Sequence, residues 1–149
     1  MTGVLTPAIV RWVKLSLWTL LAGATVIIFY TWFTMLSPWG YTAPDGLEPI
    51  DDSRQHRLFV FGTLRSPVIR WVVMGRAGEQ MPATLEGYRK EALDISPAPE
   101  AEVHGYVLTV SPRELSRLDR YERLGIRYER VKMALADGTS AWVYRRLAQ

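Results

Sequence analysis

The sequence predicts an α+β domain, a mixed β-sheet or barrel with one main helix, set behind a single membrane-spanning helix. Three observations carry this. The 22 residues from Leu15 to Leu36 contain no charge. Residues 54–149 alternate short β-rich runs with one strongly marked helix start. The chain then closes on two β-rich runs around Asp137-Gly138, the turn chemistry of a hairpin.

The apolar run, LSLWTLLAGATVIIFYTWFTML, would reach about 33 Å as a helix and so spans a bilayer. Trp12, Trp18, Trp32 and Trp39 lie toward its two ends, where amphipathic rings prefer the headgroup region, and Pro38 with Gly40 stops the helix. A cleaved signal peptide is the competing reading, because Ala22, Gly23 and Ala24 imitate a small-residue cleavage site. Cleavage there would leave Val26 to Leu36 as an apolar terminus to be hidden. Arg11 and Lys14 precede the run, and no Lys or Arg follows until Arg54. The amino terminus (1–14) is therefore expected in the cytoplasm and the domain outside it, with a cytoplasmic domain as the alternative. Residues 37–53, rich in Pro, Gly and acids, read as a linker, and 54–149 as the domain.

Within the domain, Arg57 to Phe61 reads as a buried strand ending in a glycine turn at Gly62. Val68 to Met74 is a short helix or packed loop, Gln80 to Leu85 a strand, Glu86-Gly87-Tyr88 a turn, and Glu102 to Val110 a further strand. Ser111-Pro112-Arg113-Glu114 combines an N-cap, a proline at N1 and a glutamate at N3, which starts a helix running to about Tyr121 or Glu122. Leu115 and Leu118 face the core. Tyr128 to Leu135 and Ser140 to Tyr144 form the closing hairpin.

Composition narrows the chemistry. The chain has no cysteine, which removes disulfides, thiolate metal sites and cysteine nucleophiles together. Its two histidines, His56 and His104, stand in no metal-ligand spacing, and a domain of this size leaves little room for a large cofactor, so neither metal nor cofactor is expected. The net charge of +3 comes from arginines scattered among acids, so nucleic acid is not an expected partner.

Two features suggest a site. Glu122 lies seven positions after Leu115 and four after Leu118, so a carboxylate continues an apolar stripe; desolvation there would raise its pKa toward neutrality, as an acid/base needs. Pairing with Arg127 or Arg130 is the competing reading, and Asp119 is expected to point outward. The turn Phe61-Gly62-Thr63-Leu64 could aim backbone N–H groups at a carboxylate or a developing oxyanion, or be a plain tight turn.

In this order, FGTL (61–64), GYR (87–89), HGYVLTVSPRELSRLDRYE (104–122), YERVKM (128–133) and DGTSAWVY (137–144) resemble the gamma-glutamylcyclotransferase or AIG2-like family. The resemblance covers nearly all of the domain and none of the apolar helix. It implies a mixed α/β barrel and a lyase or acyltransferase reaction without a cofactor. In that reaction a gamma-glutamyl α-amine attacks its own side-chain amide, releasing 5-oxoproline and an amine. By the motif match Glu122 is the catalytic acid/base; Phe61, Gly62, Thr63, Leu64 and Tyr128 contact the gamma-glutamyl substrate, and Arg130 has a structural or pairing role. Two positions depart from the family pattern: Phe61 replaces a tyrosine and Arg123 a glycine. Tyr88, Tyr106, Trp142 and Tyr144 read as core aromatics. A non-catalytic ligand-binding or scaffold module on the same fold is the alternative function.

Overall fold

The structure, a computed structural model, describes residues 7–35, 37 and 40–147. Leu36, Pro38 and Trp39 lie outside the described residues, so the stop expected there is not seen. The chain divides into two compact units between Gly40 and Tyr41.

The first unit is the helix α1, Pro7–Met35, of which Pro7–Phe33 is long and apolar enough to cross a membrane, with a mean hydropathy of 1.7 and no residue buried. It begins before the uncharged run, so Arg11 and Lys14 stand inside its first turns. The hydroxyls of Ser16, Thr19, Thr25 and Thr31 each donate to the carbonyl four residues earlier, at Trp12, Leu15, Leu21 and Ile27. Every one of those polar groups thus finds its partner on its own helix, as a surrounding without water requires.

The second unit holds β1 (His56–Val60), a 3-10 turn (Thr63–Arg65), α2 (Pro67–Met74), β2 (Gln80–Glu91), β3 (Asp94–Val110), α3 (Pro112–Glu122), β4 (Tyr128–Ala134) and β5 (Ser140–Arg146). The five strands form one mixed sheet in the order β2-β3-β1-β5-β4, antiparallel except where β1 runs parallel to β5. Two contacts tie the β2–β3 hairpin to the β4–β5 hairpin. Ala136 donates its N–H to the Thr84 carbonyl, and Arg146 donates its N–H to Asp94 at the tip of the β2–β3 hairpin. The expected mixed barrel is recognisable in this curl.

Strand alternation separates two cores. On one face Phe59, Phe61, Leu85, Ile95, Val103, Val107, Met133 and Val143 form a buried apolar cluster. On the other, Leu58, Val60, Leu108, Val110, Trp142 and Tyr144 are buried together with Leu115 and Leu118 of α3, both 0% exposed. Gly105 is a close-approach glycine between them: a Cβ there would come within 2.4 Å of the Val60 carbonyl oxygen.

The helix start at Ser111 is as expected. Its hydroxyl accepts from the Glu114 N–H while the Glu114 carboxylate accepts from the Ser111 N–H, and the helix ends at Arg123, whose φ is 55°. Glu86-Gly87-Tyr88, by contrast, is not a turn. It is a bulge inside β2, where the register to β3 shifts and Gly87 takes a φ of 77°, so the strand bends without ending. The true hairpin tip is at Ala92 and Leu93, which carry no Gly-Asn or Asp-Gly signal; Ala92 adopts a φ of 55°. Part of the expected linker also packs on the domain: Tyr41 donates to the Leu124 carbonyl, Arg130 donates to the Glu48 carbonyl, and Pro44 and Leu47 press on Gly125.

Candidate functional site

Three element ends carry the candidate residues: the carboxyl end of β1 with its turn, the last residue of α3 and the tip of the β2–β3 hairpin. The parallel register places Leu58 beside Trp142 and Phe59 beside Val143; continued, it puts Val60 beside Tyr144 and the Gly62 turn just beyond. α3 lies over this face of the sheet and delivers Glu122 from its last residue. The tip of the β2–β3 hairpin supplies Leu93, whose side chain would touch a Cβ at Gly62 at 3.6 Å and whose carbonyl faces the Tyr128 hydroxyl at 3.5 Å.

Glu122 is half-buried, with Leu115 and Leu118 on the same helical face, as the spacing implied. Burial alone raises its carboxyl to about 7. Neither Arg127 nor Arg130 pairs with it, and no hydrogen-bond partner is found for it among the described residues. It lies close enough to Tyr144 for its charge to raise the phenol pKa further.

Asp119 overturns the outward placement expected of it. It is 8% exposed and bound on both oxygens, by the Tyr144 hydroxyl at 2.5 Å and Arg130 Nη1 at 2.5 Å. Asp119 follows Leu115 by one helical turn, so it sits on the edge of the same buried stripe, and that i+4 relation was the signal available in the sequence. Burial pushes its carboxyl up, while Tyr144 and Arg130 pull it down. Arg130 also lies over the Trp142 ring, 4.9 Å from its centroid. Tyr144 is therefore more than a core aromatic: its ring fills the core and its hydroxyl ties α3 to β5.

In the turn, Arg65 and Ser66 donate their N–H groups back to the carbonyls of Gly62 and Thr63. Among the described residues nothing accepts from the N–H groups of Gly62, Thr63 and Leu64, which is the condition at the start of any short helix. Gly62 has a φ of −104°, so the open side of the turn does not depend on a left-handed glycine. Phe61 gives the turn only its backbone; its ring is 5% exposed and stacks on Phe59 with centroids 6.2 Å apart.

Beneath the turn lies a residue that sequence reasoning passed over. Arg70 of α2, 2% exposed, donates to the carbonyls of Leu64, Arg65 and Ala77. A lone arginine inside the apolar run PVIRWVVM was the visible sign. A groove of about 310 Å³ opens beside the turn, lined by Arg65, Thr84, His104 and Tyr106 among others, with the Arg65 guanidinium 5.3 Å from the Tyr106 ring centre. A larger cavity of about 530 Å³ lies near Arg76 and Glu114, at the opposite end of α3 from Glu122.

Comparison with known proteins agrees with this fold. Residues 58–149 match the family model described as "Gamma-glutamyl cyclotransferase, AIG2-like". The chain is similar to Protein AIG2 C of Arabidopsis thaliana, 36% identical over 87 residues (54% of this chain and 52% of the relative), and to AIG2-like protein A of the same plant. The latter is 36% identical over 92 residues (57% and 54%). The chain thus spans about half the length of the curated relatives it matches. Among solved structures, it is similar to that of Arabidopsis thaliana At5g39720.1, with a TM-score of 0.55 and 31% identity over 65% of this chain and 72% of that one. A structure titled "Gamma-glutamyl cyclotransferase" matches at a TM-score of 0.51 and 16% identity over 63% and 68% of the two chains, a likeness of fold.

Proposed function

We propose, from the premise that this chain belongs to the gamma-glutamyl cyclotransferase, AIG2-like family, that it is a membrane-anchored enzyme cyclising a gamma-glutamyl amide to 5-oxoproline. The observation that carries this is Glu122: a desolvated carboxyl near pKa 7, without a pairing cation, at the end of α3. A carboxyl poised near neutral pH can both take and return a proton.

In the proposed reaction the substrate's neutral α-amine attacks its own side-chain amide carbon, forming the ring C–N bond. Glu122 takes the proton from the attacking nitrogen. Charge then develops on the amide oxygen, and the unpartnered N–H groups of Gly62, Thr63 and Leu64 are suited to hold that oxyanion or the substrate's α-carboxylate. Protonated Glu122 returns its proton to the leaving nitrogen as the original amide C–N bond breaks, releasing the amine and 5-oxoproline. Tyr128, held against Leu93, forms the far wall, and Phe61 acts through its backbone.

The test is 5-oxoproline release from a panel of gamma-glutamyl amides by wild type and Glu122→Gln. Loss of about 10²–10⁴-fold in the variant is expected of a removed acid/base. No release by wild type from any compound would favour the alternative, a non-catalytic ligand-binding module.

For α1 we propose a single membrane pass with residues 15–36 in the bilayer. The charge bias of Arg11 and Lys14 supports a cytoplasmic amino terminus and an extracytoplasmic domain. Protease accessibility of the domain in sealed vesicles distinguishes this from a domain on the cytoplasmic side.

A further inference from the structure

We infer that the outer face of α2 seats on an anionic lipid surface, giving the domain a peripheral membrane contact of its own; the inference builds on the anchoring reading of α1. α2 is an eight-residue helix with two unlike faces. Arg70, Val73 and Met74 turn inward and are buried. Val68, Trp71 and Val72, at helical spacings of three and four, turn outward and are 67%, 64% and 48% exposed. A tryptophan beside two valines on one ridge is a contiguous apolar group of the kind that marks a contact surface, and the headgroup boundary of a bilayer favours this grouping: an indole with apolar neighbours on one side of a short helix.

Charge selects the kind of surface. α2 contains no acid, and its only buried charge, Arg70, is spent on carbonyls. Arg65 precedes it, exposed and with no carboxylate partner among the described residues. Alongside, Arg117 of α3 donates to the Met74 carbonyl, and Arg113, one turn earlier on that helix, is exposed. The nearby acids are Glu114, which is held by Arg76 and Ser111, and Glu79, which sits beside Arg76. The cations around the ridge are thus the less committed charges, and an anionic headgroup layer complements them. Proximity supplies the rest. Five residues separate Met35 from Tyr41, where the domain begins, so a membrane-inserted α1 would keep α2 at a high local concentration of lipid, and a weak patch would suffice.

Residues 41–149 form a compact unit with its own core, so the face can be tested without α1. This fragment contains two tryptophans, Trp71 on the ridge and Trp142, 9% exposed, in the core. Vesicles of phosphatidylcholine with phosphatidylglycerol are expected to shift the fragment's tryptophan emission to the blue and to carry it in flotation, pure phosphatidylcholine less so. Val68→Asp combined with Val72→Asp is expected to lower partitioning about tenfold or more while leaving near-ultraviolet dichroism from Trp142 intact. In the full chain, nanodiscs of the same lipids are expected to slow hydrogen exchange in α2 in the wild type and not in the variant. The inference is overturned if the folded fragment shows no shift with anionic vesicles, or if the variant binds as well as wild type. It is also overturned if the shift follows protein concentration without lipid, which would assign the ridge to a second copy of the chain. The anchor is read separately: release of the full chain from membranes by alkaline carbonate would refute that reading, and failure of the fragment to bind would not.

Discussion

Asp119 and Glu122 lie three residues apart on α3, the first buried and the second half-buried, yet their surroundings are opposite. Asp119 has Tyr144 on one oxygen and Arg130 on the other, and Arg130 is fixed in turn by the Glu48 carbonyl and the Trp142 ring. Glu122 has burial and no cation. The difference teaches how one helix end divides its labour. The partnered carboxylate locks α3 onto β4 and β5, and the unpartnered one, carried on the helix so fixed, keeps a proton that can move. A buried charge is tolerated only with compensation; a buried carboxyl without it stays neutral until higher pH.

The comparison breaks most visibly at Asp119. Asp119→Ala would leave Arg130 charged and uncompensated under α3, and a loss of about 3–5 kcal/mol in urea unfolding is expected. A loss below about 1 kcal/mol would mean that the network is not holding the helix.

A smaller effect sharpens the other side. Glu122 ionises near the ordinary carboxylate range in the unfolded chain and near 7 when folded. Between those values the unfolded state releases a proton that the folded state keeps, so stability present below about pH 4.5 is lost as pH rises toward 7. The full loss is at most about 3–4 kcal/mol at two to three pKa units. Glu122→Gln removes this slope, so the variant is expected to match wild type at pH 4 and to exceed it at pH 8. Denaturation at the two pH values checks the sign.

Tyr144→Phe is the mildest change. It removes one donor from the Asp119 carboxylate and leaves the ring's packing intact, for about 1–3 kcal/mol. Because the lost bond favours ionised Asp119, the penalty is expected at pH 7 and should shrink toward pH 3, the opposite of an apolar packing defect.

Much of the fold was legible because its signals are local. The capping box at Ser111, the Asp137-Gly138 hairpin and the apolar periodicity of Leu115 and Leu118 each specify a short element through neighbours in sequence. Glu122 was legible for the same reason, as a carboxylate on a stripe. What was missed depends on contacts distant in sequence. Gly87 looked like a turn because a positive φ serves a bulge as well as a hairpin, and only pairing to β3 decides between them. Asp119 looked exposed because its partners, Arg130 and Tyr144, arrive 11 and 25 residues later. Phe61 sat in the motif, yet strand alternation sends its ring to the apolar cluster and not toward Glu122.

Arg70 gives the cradle a mechanical dependence. Its guanidinium acts as a strut: one end is rooted in α2, and the other bears on the carbonyls of Leu64 and Arg65. The carbonyl side of the turn is therefore held from behind by a helix as well as by the strand that precedes it. Shortening Arg70 would take that support away and leave the Leu64 and Arg65 carbonyls without their buried donor. The shape of the turn thus depends on a side chain from an element that follows it in the chain.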